Sequence, residues 1–282
     1  MEREDTRAEV IARLRPYVDR AHRLKGFRLE VEPVPLGPPL PWNYEVRARE
    51  LLTGARSVLD MGTGGGEVFS EILAGYDVFA VATEPWLPNV SVAAGWLRPF
   101  GALVVHANSL ALPFADEAFD LILNRHEELD PAEVARVLAR GGHLLTQQVI
   151  PENWKELRAF FPRMTHFGPH FEQYQDGLRA GGLVIRSAER HETLAAYHDL
   201  GDIAYLLTAL PWEVPDFDVS QDIEALMALE RALRRPEGIV LTEGRYLIEG
   251  YKPAAEAKRT PKHTWGEQEG KEGPGDVAKR GF

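Results

Sequence analysis

Alternating glycines just after an acid are the residues of this chain best placed to do chemistry. The stretch Ser57-Val58-Leu59-Asp60-Met61-Gly62-Thr63-Gly64-Gly65-Gly66-Glu67 reads as an apolar strand ending in a carboxylate, then a glycine turn, then a helix start. Glycine removes Cβ where a chain turns sharply and lets a ligand approach the backbone. Free N–H groups at the helix start favour an anionic group. A dinucleotide fingerprint would put its third glycine at position 67, which is Glu67. The spacing is instead Asp-x-Gly-x-Gly-x-Gly over Asp60, Gly62, Gly64 and Gly66. A second acid, Glu84, follows the next apolar run, Val78–Thr83, 24 residues after Asp60. Its two oxygens can accept both hydroxyls of a ribose.

With these residues in register the chain resembles the class I S-adenosylmethionine-dependent methyltransferases of the type 11-like group, whose first motif has this form. The resemblance implies S-adenosyl-L-methionine as cofactor, with the loop passing its methionine moiety and ribose. It marks Asp60, Gly62, Thr63, Gly64, Gly66, Glu84, Pro85, Asn108, Ser109, Leu110 and Asn124 as cofactor-binding positions. Ala107 to Asp120 is similar to the family stretch in which an acid follows the third strand and Leu-Pro-Phe precedes a Phe-Asp opening the fourth. Asn108 stands where that acid is common. Its amide oxygen can accept the adenine amino hydrogen, without charge assistance, and Ser109 and Leu110 would flank the ring. Arg136-Val137-Leu138-Ala139-Arg140-Gly141-Gly142 resembles the corner leading into the family's fifth strand.

Ligands of open α/β sheets bind beyond the carboxyl ends of the strands, so acceptor chemistry is expected at Asn124-Arg125-His126-Glu127-Glu128. Methyl transfer demands alignment, exclusion of water and removal of an acceptor proton where there is one. His126 can be that base, with Glu127 or Glu128 orienting it, and Arg125 can hold an anionic acceptor. A solvated edge or a helix cap would use the same residue types. There is no Asn-Pro-Pro-Tyr motif of the kind found in enzymes that methylate nucleobase amino groups. A second wall is expected from Gln147, Gln148, Asn153, Trp154 and the aromatic stretch Phe160 to Tyr174. These enclose a planar acceptor or form the core of a covering lobe, and Tyr197, Trp212 and Phe217 share that choice. Trp42 and Tyr44 close over the cofactor or simply pack.

The elements that must position these groups alternate. Strands are expected at 57–61, 78–83, 102–107, 119–124 and 142–149, with helices at 67–74, 89–98 and 131–138 between them. That is the texture of βαβ units. The expected fold is α/β: a Rossmann-like, doubly wound, mostly parallel seven-stranded sheet. An N-terminal helical extension is expected over 1–54, with helices at 5–24 and 44–52. The cofactor domain spans 55–253, with a helical and aromatic C-terminal insertion at about 151–180 and 199–236. Further strands are expected at 184–193 and 239–251, and an amphipathic helix at 219–235. Residues 254–282, polar and aperiodic, read as a disordered tail.

Composition narrows the functions. The chain has 282 residues, no cysteine and a formal net charge of −11. Disulfides, cysteine-ligated metals and thiol nucleophiles are excluded, among them the cysteine-adduct route to pyrimidine C5. No metal site is expected. The acidic balance disfavours nucleic acid, and no apolar run approaches a membrane span. A soluble, cytoplasmic methyltransferase acting on a small molecule is the leading expectation. A non-catalytic cofactor-binding module, an acceptor in ribosomal RNA or protein, and an NAD-dependent oxidoreductase are the alternatives.

Overall fold

The computed structural model describes residues 5–254. The tail expected to be disordered lies, from residue 255 onward, outside the described residues. One nine-stranded sheet organises the chain, in the order β1-β7-β9-β6-β5-β2-β3-β4 with β8 paired to β9. Two of these strands, β1 (Val34–Pro35) and β8 (Arg234–Arg235), are two residues long; the other seven form the expected seven-stranded sheet.

The parallel part comprises β2 (Ser57–Met61), β3 (Phe79–Glu84), β4 (Leu103–His106), β5 (Phe119–Arg125) and β6 (Leu138–Val149). Both faces of these strands are covered, which explains their continuous apolar runs. Val58, Ala80, Ala82, Leu121 and Leu123 face α2 (Tyr44–Leu52), α3 (Glu67–Leu73) and α4 (Leu87–Leu97). Leu59, Met61, Val81 and Ile122 face α5 (Pro131–Val137) and α6 (His170–Ala180). Helix starts follow capping residues: Asn43 accepts from Val46 N–H at α2, and Asp130 from Ala132 N–H at α5.

Beyond β6 the sheet turns antiparallel. β7 (Val184–Tyr197) and β9 (Gly238–Tyr251) pair along their length, from Val184↔Tyr251 to Tyr197↔Ile239. At about 3.3 Å per residue such strands exceed the parallel part's reach. Their far ends, with Tyr197, Ile239 and Leu241, carry a second core. α7 (Leu200–Ala209), α8 (Ile223–Leu233), the short 3-10 turn Lys155–Ala159 and α1 (Arg7–His22) pack there. The 1–54 stretch is therefore divided: α1 joins this C-terminal lobe and α2 the cofactor domain. Gly201 permits the first contact, because a Cβ there would meet the Tyr17 ring at 2.3 Å. Tyr17 also donates to Asp199, which caps α7.

Candidate functional site

The switch in strand order lies between β2 and β5, where Met61 pairs with Asn124. β3 leaves one side of β2 and β5 the other, which opens a crevice above their carboxyl ends. Several expected cofactor positions lie at these strand ends: Asp60, the glycine loop, Glu84 and Asn124.

Gly62, Gly64 and Gly66 all adopt left-handed backbone, with φ of 66°, 62° and 83°. Each lies against a different neighbour. A Cβ on Gly62 would meet Glu127, one on Gly64 the Phe27 ring at 2.8 Å, and one on Gly66 α4 at Ala93 and Leu97. Phe27 belongs to the strap between α1 and β1. The strap is held by Gly26 N–H donating to Asn89 Oδ1 at 3.3 Å and by the Phe27–Trp212 ring pair, 5.7 Å apart. Glu84, 2% exposed, clasps the loop: Oε2 accepts from Gly64 N–H at 2.7 Å and Oε1 from Trp86 N–H at 2.8 Å. Each oxygen keeps a further lone pair.

The crevice holds excess negative charge. Burial, with the Glu84 carboxylate nearby, pushes Asp60 up to about 7, although the neighbouring Thr63 hydroxyl and the Arg125 guanidinium act against it. Burial also raises Glu84. Glu127 reaches about 7 through burial and the charges of Glu84 and Glu128. Among the described residues six buried side-chain polar atoms lack a well-aligned hydrogen-bond partner. Four of them, Tyr44 OH, Thr63 Oγ1, Ser109 Oγ and Asn124 Nδ2, belong to residues at or after the ends of β2, β4 and β5 or at the start of α2. Such atoms cost about 1–3 kcal/mol each until satisfied. Carboxylates for cationic groups, oxygens for a ribose and spare polar atoms along its length fit an S-adenosylmethionine-sized ligand. Pro85 supports the rim, its carbonyl bound to His106 Nε2 at 3.0 Å.

The adenine end differs in detail from expectation. Asn108 Oδ1 accepts from Leu110 N–H at 2.7 Å, closing its own turn, so the expected acceptor is partly spent. Ser109 is fully buried beneath, and Leu110 is 40% exposed.

At the acceptor end, β5 finishes in Arg125 and turns through His126, whose φ of 66° is left-handed in a non-glycine residue. Its amide donates to the Gln147 carbonyl on β6 at 2.8 Å. The partner of the ring is Gln147, not Glu127 or Glu128. Trp42 Nε1, a donor only, bonds Gln147 Oε1 at 2.8 Å, so the Gln147 Nε2 amide donates to His126 Nε2 at 3.2 Å. The imidazole thus carries its proton on Nδ1. It keeps solvent contact in a concave surface, and the packing around it, with Arg245 and Arg125, holds its pKa well below the ordinary value. The Trp42 and Gln147 roles and the Glu127 position depend on contacts between distant segments and had no local signal.

Further along, Trp154 Nε1 donates to Tyr197 OH and Glu243, both at 2.8 Å, and Tyr197 itself bonds Glu243. Arg245 pairs with Glu243 at 3.1 Å. Phe161 packs in the lobe carried by β7 and β9 and Tyr174 in the core between the parallel sheet and α5, whereas Phe167 is 37% exposed. Among the described residues no cluster could hold a metal ion, and no helix is long and apolar enough to cross a membrane.

Residues 59–146, from β2 into β6, match the family model described as a methyltransferase domain. No curated protein sequence matches the chain. Among solved structures it is similar to the [4+2]-cyclase SpnF, with TM-score 0.52 and 17% identity over 89% of this chain and 98% of that one. A functionally unknown protein from Deinococcus radiodurans R1 gives 0.55 and 19%, over 84% and 99% of the two chains. A putative methyltransferase from Bacillus halodurans C-125 gives 0.50 and 20%, over 74% and 99%. At these identities the structural likeness speaks for the fold, and the matched domain speaks for the family. The match marks residues 59–146 as a methyltransferase domain, and the glycine loop and doubly wound sheet around it fit S-adenosylmethionine as the cofactor.

Proposed function

We propose that the protein transfers the cofactor's methyl group to a small-molecule acceptor lodged beyond the ends of β5 and β6. The observation that carries this is the glycine loop with Asp60 and Glu84 at the strand ends, together with the buried Asn124 Nδ2 that has no partner at the end of β5. The cofactor supplies an electrophilic methyl on a cationic sulfur. Glu84 would accept the ribose hydroxyls through its remaining lone pairs. Asp60 would take the ammonium, and Asn124 Nδ2 a carboxylate oxygen. Gly62, Gly64 and Gly66 hold the loop in its left-handed course, and Thr63 presents its hydroxyl from within it.

On the acceptor side, Arg125 makes no ion pair among the described residues and would hold an anionic group. The loss of hydration and the charges of Arg245 and Arg125 favour the neutral form of His126. As a base it must first part from the Gln147 amide. The net charge of −11 favours a small acceptor over a polyanion.

Titration calorimetry tests the cofactor reading: S-adenosylmethionine and S-adenosylhomocysteine should bind and NAD should not. His126→Ala should cut turnover by about 10²–10⁴-fold if it removes the acceptor proton. A loss below tenfold with binding intact leaves it a positioning residue. Binding without turnover on a broad acceptor panel would favour a non-catalytic module. A fold that also appears in a [4+2]-cyclase makes that panel necessary.

A further inference from the structure

Glu127 is a carboxylate of the crevice whose side chain has no hydrogen-bond or ion-pair partner among the described residues. It follows the left-handed turn at His126, and its side chain runs along the open face of Gly62. Its Cβ, Cγ and Cδ lie 2.4, 2.5 and 2.9 Å from the point a Gly62 Cβ would occupy. Its backbone carbonyl accepts from Gln148 Nε2 at 2.7 Å, but its carboxylate makes no hydrogen bond or ion pair among the described residues. The charges acting on it, Glu84 and Glu128, are both negative. The neighbouring acids are already served: Glu84 by two backbone N–H groups, Asp60 by the field of Arg125. A second observation points to a ligand at the same place. Asn124, 0% exposed, carries an unpartnered Nδ2 and pairs in register with Met61, the residue before Gly62.

We infer that Glu127 is the counter-ion of the cofactor's sulfonium, and that it makes the site prefer S-adenosylmethionine to the thioether left after methyl transfer. The inference rests on the cofactor reading above. When the methyl group passes to the acceptor's lone pair, the sulfur–carbon bond pair stays on sulfur and the positive charge there disappears. Any acceptor proton goes to a base or to solvent. A carboxylate beside the loop attracts the charged ligand and gains nothing from the neutral one. For unit charges a few ångströms apart in a partly buried site, that difference is about ten- to a hundredfold in affinity. The site would then shed its product and resist inhibition by it.

Calorimetry at pH 8 on the full chain tests this with three ligands: S-adenosylmethionine, S-adenosylhomocysteine and sinefungin, which bears a protonated amine in the sulfonium's place. The wild type should bind both cationic ligands at least about tenfold more tightly than the thioether. Glu127→Gln should reduce that gap to within about threefold, mainly by weakening the cationic ligands, whereas Glu128→Gln should leave it unchanged. Glu127→Ala provides the same reading should the glutamine variant fail to fold. Equal wild-type affinities, or a gap that survives in Glu127→Gln, overturn the inference. If the wild type binds none of the three, the cofactor reading falls and this inference with it.

Discussion

A carboxylate held in a crevice without a cation costs free energy, and its sign can be read from pH. Glu127 and Asp60 sit at about 7 in the folded protein, above unfolded values near 4. The native state therefore binds more protons between those limits. Their contribution is present at acid pH and lost as pH rises through about 7. Ligand-free Glu127→Gln should consequently melt a few degrees above wild type at pH 8, and by less at pH 5.5. Differential scanning fluorimetry checks it; a variant that melts below wild type at pH 8 would refute the assignment. Glu84 has a second duty, since it also clasps Gly64 and Trp86. Glu84→Ala should weaken cofactor binding by about 1–3 kcal/mol, and unchanged affinity would reject the ribose role. These acids were legible in the sequence as a pair, Asp60 and Glu84. Glu127 was legible only as a possible support for His126. Adjacent residues on an extended chain point to opposite faces, and only the left-handed turn at His126 shows which way each points.

The glycine loop is shaped by protein as much as by ligand. Its spacing predicts close ligand approach, and the fold adds three protein neighbours, Glu127, the Phe27 strap and α4. Gly64→Ala should cost the loop about 1–2 kcal/mol through its positive φ, plus the clash with Phe27. Adding Phe27→Ala should return the second part and not the first. Chemical denaturation of the single and double variants separates the two. If the double variant is no more stable than Gly64→Ala alone, the strap does not press on the loop. The alternation of strands and helices from residue 57 to 149 was legible in order and type, with most ends within two residues, but β6 starts at Leu138, four residues before the expected 142. Each element there is short, apolar and bounded by its own caps and glycines. The partner of His126 was not legible, because Trp42, Gln147 and His126 come from three separate elements.

At the scale of the molecule, β7 and β9 reach past the parallel sheet and support a lobe built from both ends of the chain. α1 contributes Val10, Leu14 and Ala21 to that core. Leu14 is wholly buried, so Leu14→Ala should cost about 2–5 kcal/mol. A urea melt of the described fold checks it, and a loss under 1 kcal/mol would mean that α1 is peripheral. The same lobe supplies Trp212 to the Phe27 strap. Loosening it should therefore also weaken cofactor binding.

The sequence by itself determined the glycine loop and the strand-end placement of Asp60 and Glu84. A glycine turn after an acid, with a second acid one βα unit later, depends on local backbone geometry and strand-end placement that short spacings encode. The tertiary structure alone decided the acceptor end: which groups face His126, where Glu127 lies, and that α1 belongs with the C-terminal helices. Those outcomes depend on contacts between segments far apart in the chain, made possible by gaps such as the missing Cβ of Gly201. No local pattern records them.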